Sequence, residues 1–274
     1  MLDAILSQAS KLIDLTNKIK RNIQNSRTKL LTITSGKGGV GKSTFTANIA
    51  FLLAQRNLKV AVLDADIGLA NMQVLFDIKP QCTLFEYVNG QKSLNEIILE
   101  TKYKNIFLVA GKSGYEYASG TNSFVFTRLI NDIISLNQFD ILVVDTGAGL
   151  NDYVKEFLSV SENILAITTT DPSALTDVYS LLKMLAIDKN SLMLCFNHTK
   201  NYQVGETITN SLSNLAKKNR LKEDFMIKYL GSISSSENIS VTGRLRKLFV
   251  NEFPVDEITK QMHRVVENIL KNIE

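Results

Sequence analysis

A chain of 274 residues, 45% of them hydrophobic and with a formal net charge of +4, can bury a substantial core and makes one large α/β domain or two small ones. No apolar run reaches the roughly 18 residues of a spanning helix, and the N-terminus alternates polar and apolar residues, so neither a transmembrane segment nor a signal peptide is expected. The two cysteines, Cys82 and Cys195, lie far apart in apolar surroundings; this argues against a disulfide framework or a cysteine metal site and fits a reducing cytosol.

The charge is unevenly placed. Residues 1–30 hold Lys11, Lys18, Lys20, Arg21, Arg27 and Lys29 against Asp3 and Asp14, which accounts for the whole +4 and leaves the rest neutral. The basic excess therefore belongs to an arm ahead of the fold and not to a nucleic-acid face of the domain, so DNA is not an expected partner.

In chain order, residues 3–24 predict one helix with Ile5, Leu12, Ile13, Leu15 and Ile19 as its apolar positions, ended by Asn25-Ser26. This divides the chain into an N-terminal helical arm, 1–26, and a domain, 27–274. Strand-like runs follow at 29–34, 59–64, 105–110, 139–145, 163–169, 191–196 and 227–231, most of them separated by helix-length segments. Near-continuous apolar strands such as Ile141-Leu142-Val143-Val144 belong in a parallel sheet covered on both faces. The alternation predicts a doubly wound, mostly parallel α/β fold.

Between the first strand and its helix stands Gly36-Lys37-Gly38-Gly39-Val40-Gly41-Lys42-Ser43, which fits the phosphate-binding loop G-x-x-x-x-G-K-[ST] at every fixed position. Glycines let the backbone approach phosphate oxygens and form an anion nest, and the helix starting near Lys42 adds free N–H groups and its positive dipole end. Gly36 to Thr44 are thus the expected triphosphate cradle, with Lys42 reaching the β- and γ-phosphates and the Ser43 hydroxyl on Mg²⁺. Lys37 is an addition that an ordinary loop of this kind does not need.

Asp64 and Asp66 stand at i and i+2 at the end of the second strand and face one side, where a doubly wound sheet binds ligands. Asp66 is expected to orient the attacking water and Asp64 to hold a Mg²⁺-bound water; the bland alternative is a pair of solvated loop carboxylates. Asp145 ends the most apolar strand and reads as the carboxylate near Mg²⁺. The small Thr146-Gly147-Ala148-Gly149 loop after it could place N–H groups at the γ-phosphate. Asn197, after Met193-Leu194-Cys195-Phe196, could pair with adenine N6 and N7. His198 and His263 have no Ser or Cys motif to serve and read as non-catalytic.

With Lys37 in place, the loop resembles that of the deviant Walker A ATPases, the MinD/ParA group, over about residues 28–254. The resemblance implies an ATP- and Mg²⁺-dependent homodimer in which two subunits enclose two ATP molecules. It also implies that Lys37 serves the partner's phosphates, Asp66 is the hydrolytic residue, Asp64 assists the metal shell and Asn197 contacts adenine. Asp64-Ala65-Asp66-Ile67-Gly68-Leu69-Ala70-Asn71 is similar to the MinD side of the group, not to partition proteins. Asp145-Thr146-Gly147-Ala148-Gly149 is similar to the FlhG family, which controls flagellar number.

That family carries D-Q-A-x-x-L-R in its N-terminal arm, which engages an FlhF-like GTPase. Here Ser7-Gln8-Ala9-Ser10-Lys11-Leu12-Ile13 keeps Gln8, Ala9 and Leu12 and departs at Ser7 and Ile13. The alternative is an amphipathic helix lying on its own domain. Another departure is Ile233-Ser234, where Ile-Pro is usual. Implied partners are a second copy, an FlhF-like GTPase and flagellar components, in the cytoplasm. Residues 256–273 predict a last helix whose apolar face, Ile258, Met262, Val265, Val266, Ile269 and Ile273, fits either the inner membrane surface or the parent domain. Rival readings are a division-site regulator, a DNA-binding partition ATPase, a metal-cluster carrier and a scaffold with structural ATP.

Overall fold

The computed structural model describes residues 17–67, 70–111, 125–200 and 202–273. The strands are β1 (Lys29–Ser35), β2 (Val60–Ala65), β3 (Ile98–Glu100), β4 (Ile106–Val109), β5 (Ile141–Ala148), β6 (Asn163–Thr168), β7 (Ser191–Thr199) and β8 (Met226–Ser234). The helices are α1 (residues 17–24), α2 (Lys42–Ala54), α3 (Met72–Leu75), α4 (Leu84–Val88), α5 (Leu94–Ile97) and α6 (Val125–Ser135). They continue with α7 (Asp152–Val160), α8 (Pro172–Leu185), α9 (Tyr202–Lys218), α10 (Glu237–Arg244), α11 (Phe249–Glu252) and α12 (Glu257–Asn272).

One eight-stranded sheet runs β3-β4-β2-β5-β1-β6-β7-β8. Every pair is parallel except β3 with β4. All seven expected strands are present. The antiparallel edge strand β3 is an addition: three residues carry no periodicity to read.

The period of two along each strand explains the unbroken apolar runs. In β5, Ile141 and Val143 enter the core beneath α2 and α12, while Leu142 and Val144 enter the opposite core with α1, α4 and α6. A third cluster under α8 and α9 covers the β6–β8 half. Ile19 and Ile23 of α1 belong to the second core. Residues 3–16 of the expected first helix, with Gln8, Ala9 and Leu12, lie outside the described residues.

The structure corrects two expectations and decides between the alternatives for a third. Asp145 does not end its strand: β5 continues through Thr146 and Gly147 to Ala148, and the turn comes at Gly149, where φ is +81°. The two sides of β5 explain this, since Ala65 of β2 pairs with Thr146 and Ser35 of β1 with Ala148, both beyond Asp145. Asn197 likewise lies inside β7, two residues before its end. The apolar face of α12 is not offered to lipid: Ile258, Met262, Val265, Val266 and Ile269 are buried against Phe45, Ile49 and Leu53 of α2, and Asn268 Nδ2 donates to Leu230 O on β8. No helix among the described residues is long and apolar enough to cross a membrane.

Candidate nucleotide site

β1 delivers the chain into the loop at Gly36, and α2 takes it away at Lys42. At Gly41 φ is +84°, and a Cβ would stand 2.5 Å from Asn197 Nδ2. Only glycine adopts that turn at so close an approach without strain. Gly36 is pressed against Asp177 of α8, with no room for a side chain. The first N–H groups of α2 have no intrahelical acceptor, and no side chain at the N-cap satisfies them. They line a cavity of about 560 Å³ with Gly39, Asp66, Asn71, Gly147 and Asn151. That volume suits a small-molecule ligand.

Three neighbouring strands converge on the cavity floor. Lys42 Nζ lies 3.0 Å from Asp145 Oδ1, and both side chains are buried. Thr46 Oγ1 donates to the same oxygen at 2.9 Å. Asp145 Oδ2 is buried and has no hydrogen-bond partner. On β2, Asp64 stands directly beside Asp145 in register. Its Oδ2 accepts from Met72 N at 3.0 Å and its Oδ1 from Asp66 N at 3.3 Å. Burial, reinforced by the Asp145 charge, pushes the Asp64 carboxyl up to about 7 from an ordinary 3.8. The half-buried Asp66 is also raised, by burial first, with Lys42 opposing.

This donor set fits Mg²⁺. Asp145 Oδ2 lacks a partner, burial and the Asp145 charge leave Asp64 short of the positive charge a cation would supply, and all the donors are hard oxygens. No group of three His, Cys, Asp or Glu among the described residues could hold a metal unaided. Mg²⁺ typically takes one or two carboxylates and completes its shell with phosphate oxygens and water.

Lys37 stands apart from the cavity. It is exposed, and its Nζ donates to Ser173 Oγ at 2.8 Å, in the first turn of α8. Asn197 Nδ2 donates to Val40 O at 2.8 Å, tying β7 to the loop, and the His198 ring lies against Gly41. His263 faces the Arg56 guanidinium at 3.3 Å, remote from the loop. Cys195 is buried in the α2 core and Cys82 packs on the opposite core, so they form no pair. Ser234 N donates to Gln261 Oε1 at 2.8 Å, a bond that the proline usual at this position could not make.

Four contributors escaped the sequence reading: Thr46 on Asp145, the Met72 amide on Asp64, Asp177 against Gly36, and Ser173 under Lys37. Only Thr46 left a signal, one helical turn after Lys42.

The family profile ParA, described as NUBPL iron-transfer P-loop NTPase, matches residues 26–270. The chain is 34% identical to the flagellum site-determining protein YlxH of Helicobacter pylori, over 98% of this chain and 92% of that one. It is 28% identical to the antiactivator FleN of Pseudomonas aeruginosa, over 88% and 86% of the two chains. The septum site-determining protein MinD of Pyrococcus horikoshii, solved with Mg-ADP, shares the fold at a TM-score of 0.69 and 21% identity, covering 89% of this chain and 98% of that one. Iron transfer does not carry over with the profile, because the two cysteines lie on opposite faces of the sheet. The phosphate loop, the carboxylates of β2 and β5 and these likenesses agree: the chain belongs to the MinD/ParA family of P-loop ATPases, which bind ATP with Mg²⁺ and hydrolyse it to ADP and phosphate.

Proposed function

We propose that the chain is an ATP-driven switch that sets flagellar number and placement, dimerising with ATP and releasing on hydrolysis. The observation that carries this reading is the likeness to a flagellum site-determining protein over nearly the full length of both chains. The antiactivator FleN supports it independently.

In chemical terms the reaction is phosphoryl transfer to water, and catalysis of that kind rests on positioning and charge neutralisation. The N–H groups of Gly38 to Thr44 bind the phosphates. Lys42, held by Asp145, shares its charge with the β- and γ-oxygens. Ser43, Asp64 and Asp145 would hold Mg²⁺, which when bound neutralises charge on the transferring group. Asp66 orients the attacking water. Asn197 fixes the loop through Val40 and contacts adenine. Lys37 leaves Ser173 and reaches the phosphates of a second copy. In the N-terminal segment Gln8, Ala9 and Leu12 engage an FlhF-like GTPase. The protein acts in the cytoplasm, and partners bring it to the inner membrane surface, because the apolar face of α12 is buried.

Size exclusion with ATP tests the switch. Asp66→Ala is expected to dimerise and release no phosphate. Lys37→Ala should bind ATP and stay monomeric. A monomeric Asp66→Ala protein with ATP bound would sink the proposal. For the partner, a pull-down should compare the full chain with one lacking residues 1–16. Truncation through residue 24 would strip Ile19 and Ile23 from the core.

A further inference from the structure

α7 spans the distance between the nucleotide cavity and the base of the N-terminal segment. At its start, Asn151, Tyr153 and Val154 line the cavity. Nine residues later, about 13 Å along the axis, its far end meets α1. There Glu162 Oε1 accepts from Gln24 Nε2 at 3.1 Å and from the buried Lys189 Nζ at 3.4 Å. Lys189 Nζ also donates to Ser159 O, in the last turn of α7, at 3.0 Å. Phe157 and Val160 share one hydrophobic cluster with Ile19 and Ile23 of α1.

α6 grips the same two partners. Glu156, midway along α7 and half-buried, accepts the Thr127 amide at 2.9 Å in the first turn of α6. Phe126 packs on Phe157 in a tilted pair with ring centroids 5.0 Å apart and meets Tyr153 edge-on at 5.9 Å. Asn131 and Ser135 of α6 both accept from Asn22 Nδ2 of α1, at 2.6 and 3.3 Å. The joints of α7 are irregular: Gly149 just before it is left-handed at φ +81°, and Ser161 after it is extended. A short helix between two bends, packed along its length, moves as a body and does not deform continuously.

We propose that α6 and α7 form a relay through which the nucleotide cavity and the N-terminal segment respond to one another, with Glu156 as the positioning residue that couples the two helices. The inference rests on the ATP-switch reading and adds where its signal leaves the site. ATP in the cavity orders the first turn of α7, and the shared cluster passes that order to Ile19 and Ile23. Linkage makes the effect reciprocal: whatever holds the N-terminal segment alters ATP affinity by the same factor.

Hydrogen exchange on the full chain, with and without a non-hydrolysable ATP analogue, tests the relay. Amides of residues 17–24 are expected to exchange about 5-fold or more slowly with the analogue. In Glu156→Ala, which removes the acceptor of the Thr127 amide, that response should shrink severalfold, and Gln24→Ala, a change at an exposed residue, should weaken it independently. Glu156→Gln keeps an oxygen for the Thr127 amide and should restore part of it. Calorimetry on each sample reports analogue binding. Binding without any response at 17–24 overturns the relay alone, as does a full response in both Glu156→Ala and Gln24→Ala. No binding by the unaltered chain overturns the ATP reading and the relay with it.

Discussion

Lys42 and Asp145 are 7% and 0% exposed, so each is the other's chief compensation for lost water. Removing one partner of such a pair strands a charge in the interior, at about 3–5 kcal/mol. Lys42→Met should therefore lower the unfolding free energy of the nucleotide-free protein by about that amount, besides abolishing ATP binding. Denaturant titration checks this; a loss below about 1 kcal/mol would mean that water reaches the pair. Asp64 predicts a pH dependence. Its carboxyl titrates near 7 in the fold and near 3.8 when unfolded, so between those values the folded state holds a proton that the unfolded chain has released. Stability then falls as pH rises through that window. Asp64→Asn has no proton to lose and should flatten the melting temperature against pH from about 4 to about 7. An unchanged slope would place Asp64 in contact with water. The eight-residue loop was legible because its spacing is its chemistry. Ser173 was not, because the lysine it holds lies 136 positions away.

Among the elements, α12 shows where a sequence pattern stops. Its apolar face was legible from spacing alone, but lipid and core demand the same face. Phe45, Ile49 and Leu53 on α2 decide between them by covering it. Ile269 is fully buried there, so Ile269→Ala should cost about 2–5 kcal/mol and leave any affinity for anionic vesicles unchanged. Thermal melts and vesicle flotation check both halves. Unaltered stability with weakened flotation would return α12 to the membrane. Strands such as β2, β5 and β6 were legible for the complementary reason: burial along nearly their whole length leaves few polar residues to interrupt them. β3 was not, since three residues at an edge carry no period.

At the scale of the molecule, the alternation of strands and helices announced the doubly wound sheet, but not the order of its strands. That order depends on which crossovers pack, and no local run of residues encodes it. β5 lies between β1 and β2, the two strands that come first in the chain. The consequence is one of timing. A nascent chain that has emerged only through Asp66 already carries Gly36 to Ser43 and Asp64 as well, yet its first two strands have no mutual pairing to make. They must wait for residues 141–148, roughly a hundred positions later, to be inserted between them. Such a distant contact bears a heavy loop-closure entropy and forms late. Nucleotide therefore cannot assist the early steps of folding: its pocket exists only once the central strand has closed the gap, and ATP selects finished molecules.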